Sequence, residues 1–182
     1  MVDCNSKRKT EPRGAAGPRA NRWLLTLVAG AALTTGAWAD SPPELPAQLQ
    51  FALQQFTARG GAYELGPNDC SVFVTDYLKA CGKPIKRRWT TVELWKPTLM
   101  EALGMRQVQF GETRQSVFCI RYINAKGKWV GHCGVVLNDD GETTFVHNSE
   151  AGGGVIVERT ISFEARMLGV NVTLDQLRFF SP

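Results

Sequence analysis

Histidine is scarce in this chain: 182 residues hold only His132 and His147. None of the five cysteines forms a Cys-x-x-Cys pair. A structural zinc site needs four such ligands at close spacing, so it fits poorly. There is no internal repeat, and no low-complexity tract outside residues 1–39. No apolar stretch is a convincing bilayer span, because WLLTLVAGAAL is short and rich in Gly, Ala and Thr. An excess of one charge is also lacking where it would matter. Of 21 basic and 17 acidic residues, six and two fall within residues 1–39, leaving fifteen of each sign beyond. The formal charge of +4 therefore argues for no polyanionic partner, and nucleic acid is not expected as a ligand.

What is present starts with a leader. A basic stretch with Lys7, Arg8, Lys9, Arg13, Arg19 and Arg22 precedes the apolar run, and the small residues of TTGAWAD follow. This order predicts a signal peptide over residues 1–39, cleaved after Ala39, and an exported protein. No cysteine follows closely enough for a lipid anchor, so no stable membrane insertion is expected after processing. Residues 40–182 are enough for a single domain with a sizeable core.

The apolar pattern changes partway along the chain. PAQLQFALQQFTARGG predicts a helix with Leu49, Phe51, Leu53 and Phe56 on its apolar face, stopped at Gly60-Gly61. A second helix is expected over 71–80, apolar on most sides through Val72, Phe73, Val74, Tyr77 and Leu78, and ended by Gly82 and Pro84. Residues 89–105 predict short helical pieces broken at Pro97. Then QSVFCIRYI, KWVGHCGVVL, ETTFVH and GVIVERTISF read as strands, with NAKGK and NDDG as hairpin turns. A short helix around Phe163–Leu168 and a last strand in NVTLDQLRFF complete the reading. Helices first and an antiparallel meander after them make an α+β domain.

Four cysteines lie beyond the leader: Cys70, Cys81, Cys119 and Cys133. Eleven residues along one helix rise about 16 Å, and disulfide Cα atoms lie within about 7 Å. Cys70 and Cys81 therefore cannot be bridged if the helix is continuous. Cys81 is either a buried inert thiol or a partner of Cys119 or Cys133. Cys70 stands at the start of the helix, where unpaired N–H groups and the helix dipole favour a thiolate. Asn68, Asp69 and Ser71 are candidate caps, and the Cys70 N–H is a candidate oxyanion donor.

A cysteine nucleophile needs an imidazole as base and a third group to orient it. His132 and His147 lie on successive strands. A four-residue NDDG turn sets them directly opposite each other, and a two-residue Asp140-Gly141 turn sets His147 opposite Gly134. Both registers put the two rings on one face, whereas a slip of one residue separates them. Gly131 and Gly134 flank His132 and leave room for another segment or a ligand.

NDCSVFVTDYLKACGKPI resembles the D-C-S-G-F-V segment of the NlpC/P60 cell-wall cysteine peptidases. GHCGVVLNDDGETTFVHNSEAGGGV is similar to their H-V-G-I-Y-L-G-D-G…F-I-H-A-S segment, and AYELG to their Y-x-x-G stretch. Val72 stands where that family has Gly and Cys133 where it has Val, which marks a divergent member. The resemblance implies a papain-like fold with N-terminal helices packed on an antiparallel sheet. It implies an exported, periplasmic or secreted cysteine peptidase/amidase acting on peptidoglycan stem peptides or muropeptides. Cys70, His132 and His147 would be catalytic, with Asn148 as the orienting residue if the register places it there. Tyr63 and Ser71 would help line the substrate or oxyanion site, and no metal or cofactor is expected. Another papain-like amidase, CHAP or transglutaminase-like, would keep the same Cys and His order. A non-catalytic exported binding domain is the reading from a different class.

Overall fold

The computed structural model describes residues 45–124 and 126–182, so the expected leader lies outside the described residues. The domain is mixed α+β, with five α-helices and one six-stranded antiparallel sheet among the described residues. The helices are α1 (Ala47–Ala58), α2 (Cys70–Ala80), α3 (Thr91–Leu94), α4 (Pro97–Ala102) and α5 (Thr160–Leu168). The strands are β1 (Arg106–Val108), β2 (Gln115–Ile123), β3 (Trp129–Asp139), β4 (Glu142–Ser149), β5 (Gly154–Arg159) and β6 (Arg178–Ser181). β2 to β5 form the expected meander. β6 returns to lie beside β2, and β1 borders β6, giving the order β1-β6-β2-β3-β4-β5.

Side chains alternate across the strands, so the sheet has two apolar faces. Val117, Cys119, Cys133, Val135, Val146 and Phe180 pack with residues of α1, α2, α3 and α4. Phe118, Ile120, Val136 and Phe145 pack on the other side with Phe163 and Met167 of α5. On α1 the buried residues are Leu49, Ala52 and Phe56, a spacing of three and four that makes one helical face. Phe51 was expected on that face but is 40% exposed, because two residues turn a helix by about 200°.

Every residue of α2 from Cys70 to Leu78 is buried, as its apolar circumference requires. Phe73 and Leu78, fully enclosed, each stabilise the fold by roughly 1.5–3 kcal/mol. The helix is continuous to its C-cap, Cys81. Gly82 then turns left-handed at φ 75°, with Lys83 N–H donating to Leu78 O and Gly82 N–H to Lys79 O. All four cysteines of the described residues are free, which removes the disulfide alternative for Cys81.

Two expected strands are shorter than their sequence suggests. The segment 154–163 leaves the sheet after Arg159, because Phe163 and Met167, four apart, reach the core only from a helix. Within NVTLDQLRFF the chain first forms a 3-10 turn at Leu174–Gln176, and pairing begins at Arg178. No helix among the described residues is long and apolar enough to cross a membrane.

Candidate active site

The Asp140-Gly141 turn adopts positive φ at both positions, 45° and 84°, and pairs Asp139 with Glu142. Of the two registers considered, the two-residue turn is therefore the one observed. The β3–β4 ladder ends at Val135 and Val146. Beyond that point β3 stays paired with β2 out to Trp129 and Ile123, and β4 with β5 out to Ser149 and Gly154. The sheet forks here, and α2 starts at the fork.

The loop before α2 is fastened on several sides. The Asn148 side-chain Nδ2 donates to Asn68 O at 2.7 Å. Asn68 Nδ2 donates to Ala62 O at 2.8 Å, and Arg59 Nε donates to Asn68 Oδ1 at 3.0 Å. Asp69 is the N-cap: its Oδ1 accepts from Ser71 N–H at 2.9 Å, Val72 N–H at 3.1 Å and Ser71 Oγ at 2.7 Å. Its Oδ2 accepts from Gly66 N–H at 3.0 Å and from Arg88 Nη2 at 2.7 Å. Among the described residues no acceptor meets the Cys70 N–H, so it remains available to an oxyanion.

At the fork Cys70 lies close to both Cys133 and His132, whose side chains leave β3 on opposite faces. These contacts hold the Cys70 thiol well below its ordinary pKa. The Cys133 hydrogen bond contributes most, and the hydrogen bond and charge of His132 add to it against burial and Asp69. Cys133 is pushed well above its ordinary value, by burial and then by Cys70, and so stays a thiol that can donate. The helix start supplies further stabilisation to a thiolate.

On the α5 face His132 Nε2 and His147 Nδ1 stand 2.7 Å apart, with their rings at 81°. His147 is fully buried against the edges of Phe118 and Phe163. Its pKa falls to about 4, through burial and the neighbouring His132, against the opposing pull of Glu158. Gly134 permits this approach: a Cβ there would lie 2.6 Å from His147 Cβ and 2.5 Å from Phe118 Cε1. At Gly131 the close neighbour is Thr91, whose Oγ1 would be 2.7 Å from an added Cβ. The room beside His132 is thus filled by other segments of the same chain.

Tyr63 lies within electrostatic reach of the thiol. Burial, followed by the charges of Cys70 and Asp69, raises its hydroxyl to about 12. Ser71 is buried, and its hydroxyl is engaged with Asp69 and Arg88 rather than turned to the thiol. Asn148 faces the loop before α2, and it is His147 that meets His132. A cavity of about 530 Å3 lined by Arg59, Val72, Asp76 and Arg88 flanks α2 and does not include Cys70.

Two neighbours of the site were missed from sequence. Tyr122, paired with Val130 on the His132 face, is raised by burial and by the Cys70 charge. Glu158 places Oε2 3.1 Å from His147 Nε2. The available signal for Glu158 was a lone acidic residue at an alternate position in the apolar run GVIVER. Among the described residues no cluster of three or more His, Cys, Asp or Glu is arranged for a metal. Comparison with protein-family models, curated proteins and solved structures returned no match, so the site is read from its own chemistry.

Proposed function

We propose that this is an exported papain-like cysteine hydrolase, periplasmic or secreted, that cleaves peptide amide bonds in peptidoglycan stem peptides. The observation that carries the hydrolase chemistry is the pairing of His132 with two partners. One ring nitrogen lies 2.7 Å from His147, and the ring also lies close enough to Cys70, at the start of α2, to lower its pKa. A helix that opens on the nucleophile and packs against an antiparallel sheet carrying the base is the arrangement the resemblance implies for the fold. The murein substrate rests on the resemblance of the Cys70, His132–His147 and Tyr63 segments.

In this reading the Cys70 thiolate attacks the scissile carbonyl carbon, and the oxyanion forms against the Cys70 N–H. His132 delivers the proton to the leaving amine as the tetrahedral intermediate collapses to a thioester. It then takes a proton from the attacking water, and the thioester is hydrolysed to regenerate the thiol. His147 orients the His132 ring, and Tyr63 lines the entrance to the thiol.

The test is mass spectrometry of purified muropeptides incubated with the wild type and with Cys70→Ala. Cleavage by the wild type at an amide bond, with its loss in Cys70→Ala, is expected. Absence of cleavage of any muropeptide by the wild type would overturn the murein assignment. A Cys70 that is alkylated no faster than free cysteine at neutral pH would overturn the hydrolase chemistry itself.

A further inference from the structure

The side-chain chain that starts at Cys70 does not end at His147. Glu158 accepts from Arg166 Nε at 2.8 Å on Oε1, with Arg166 Nη2 also on that oxygen, and turns Oε2 to His147 Nε2 at 3.1 Å. Arg166 comes from the last turn of α5, and Glu158 from the strand that leads into that helix. The contacts thus run in single file from α5 through β5 and β4 to β3.

We infer that Glu158 is a positioning residue that holds His147 as the Nε2–H tautomer, leaving His132 Nδ1 free to exchange a proton with Cys70. For its catalytic consequence the inference rests on the hydrolase reading above. The derivation follows from donor and acceptor counting. A carboxylate paired with Arg166 can only accept, so the hydrogen between Glu158 and His147 belongs to His147 Nε2. A neutral imidazole carries one ring hydrogen, so His147 Nδ1 is bare. His132 Nε2 lies 2.7 Å from that bare nitrogen and must donate to it. The nitrogen left to face Cys70 is then His132 Nδ1, with a lone pair when the ring is neutral and a hydrogen when it is charged.

The opposite tautomer would block the chemistry. A hydrogen on His147 Nδ1 would demand the lone pair of His132 Nε2. Neutral His132 would then carry its hydrogen on Nδ1, facing Cys70, and could not act as base. The charged ring would meet hydrogen against hydrogen. A hydrogen bond to a charged acceptor favours the productive tautomer by about 10- to 100-fold. The ionised state of Glu158 agrees with this: burial, the largest single influence, raises its pKa, and the Arg166 and His147 hydrogen bonds and charges together outweigh it, so the net shift is downward.

Glu158→Gln is the discriminating variant because it preserves size. Arg166 will hold the amide oxygen, so the amide NH2 will turn to His147 Nε2 and select the wrong tautomer. With only two histidines in the chain, ring-nitrogen NMR of the processed protein resolves all four signals. The expected result is a bare Nδ1 on His147 in the wild type, and a protonated Nδ1 in Glu158→Gln. Alkylation of Cys70 by iodoacetamide at neutral pH should slow at least tenfold in the same variant. Glu158→Asp, which keeps the carboxylate, should retain the wild-type tautomer and lose less reactivity. A protonated His147 Nδ1 in the wild type would overturn the inference. So would a Glu158→Gln variant with unchanged ring signals and alkylation rate. Failure of the hydrolase reading would appear separately, as slow alkylation of the wild type, and the ring signals would still decide the tautomer.

Discussion

The two faces of the sheet hold their polar groups in different ways. On the α2 side the start of the helix that carries Cys70, the proposed nucleophile, is set in a mesh: Asp69 alone accepts from Ser71 N–H, Ser71 Oγ, Val72 N–H, Gly66 N–H and Arg88. On the α5 side the proposed base is held by a file, in which His132, His147, Glu158 and Arg166 each touch the next. A mesh fixes backbone, because several donors converge on one acceptor. A file fixes proton positions, because each hydrogen bond decides the direction of the next. In the proposed hydrolase, attack would need the first and proton transfer the second, and the fork between β3 and β4 lets one sulfur meet both.

The largest test of this contrast is acid, to which the file is most exposed. His147 titrates near 4 in the fold and near 6.5 in an unfolded chain. Above pH 6.5 both states are neutral and the stability is fully present. As pH falls, the unfolded chain binds a proton that folded His147 refuses, so stability declines until the folded ring also titrates near 4. The ring is fully enclosed, so the loss amounts to about 3 kcal/mol over that window. The groups facing it are His132, Glu158 and Arg166. Urea unfolding between pH 7 and 4 should show a steeper decline for the wild type than for His147→Asn. Parallel curves would refute the assignment.

Next in size is the mesh. Asp69→Ala removes the cap of α2, leaves Gly66 N–H without its partner and frees Arg88. Loss of a cap costs about 1 kcal/mol, and the part-buried Gly66 N–H left without its partner up to about as much again. A loss of about 1–2 kcal/mol by urea unfolding is expected. Asp69→Asn, which keeps an acceptor oxygen, should recover part of it. A loss below about 0.5 kcal/mol would show that the convergence on Asp69 is not what fixes the helix start.

These two regions were unequally legible in the sequence. The mesh is local: Asn68, Asp69, Cys70 and Ser71 are consecutive, so a cap and a helix start could be read directly. The meeting of His132 and His147 was legible too, because strand parity and an Asp-Gly turn suffice to place them on one face. Glu158 was not legible, since its position depends on the β4–β5 register, which no two-residue turn signals. Nor was the fork, because where a ladder stops is set by packing with α2. The strand propensity of VIVERTISF also misled at its end, where burial of Phe163 and Met167 favours a helix. The return of β6 beside β2 joins segments far apart in sequence and left no local mark.

The smallest effect concerns Cys133, which stands on the α2 face beside a thiol that also reaches His132. Its hydrogen bond is the largest influence lowering the Cys70 pKa. It is one donor beside the contact with His132 and the helix start, so its contribution should be a tuning of reactivity, not a requirement. The acceptor is a thiolate but an S–H is a weak donor, so the bond is worth at most about 1.5 kcal/mol, or roughly tenfold in the thiolate population. Cys133→Ala should therefore slow alkylation of Cys70 by a few-fold at neutral pH while leaving the histidine tautomers unchanged. Cys133→Ser keeps a donor and should stay close to the wild type. If Ala and Ser are equally slow, the effect comes from packing at the fork and not from the hydrogen bond. If Cys133→Ala also alters the ring-nitrogen signals, mesh and file are coupled through this residue, and the division between the two faces fails.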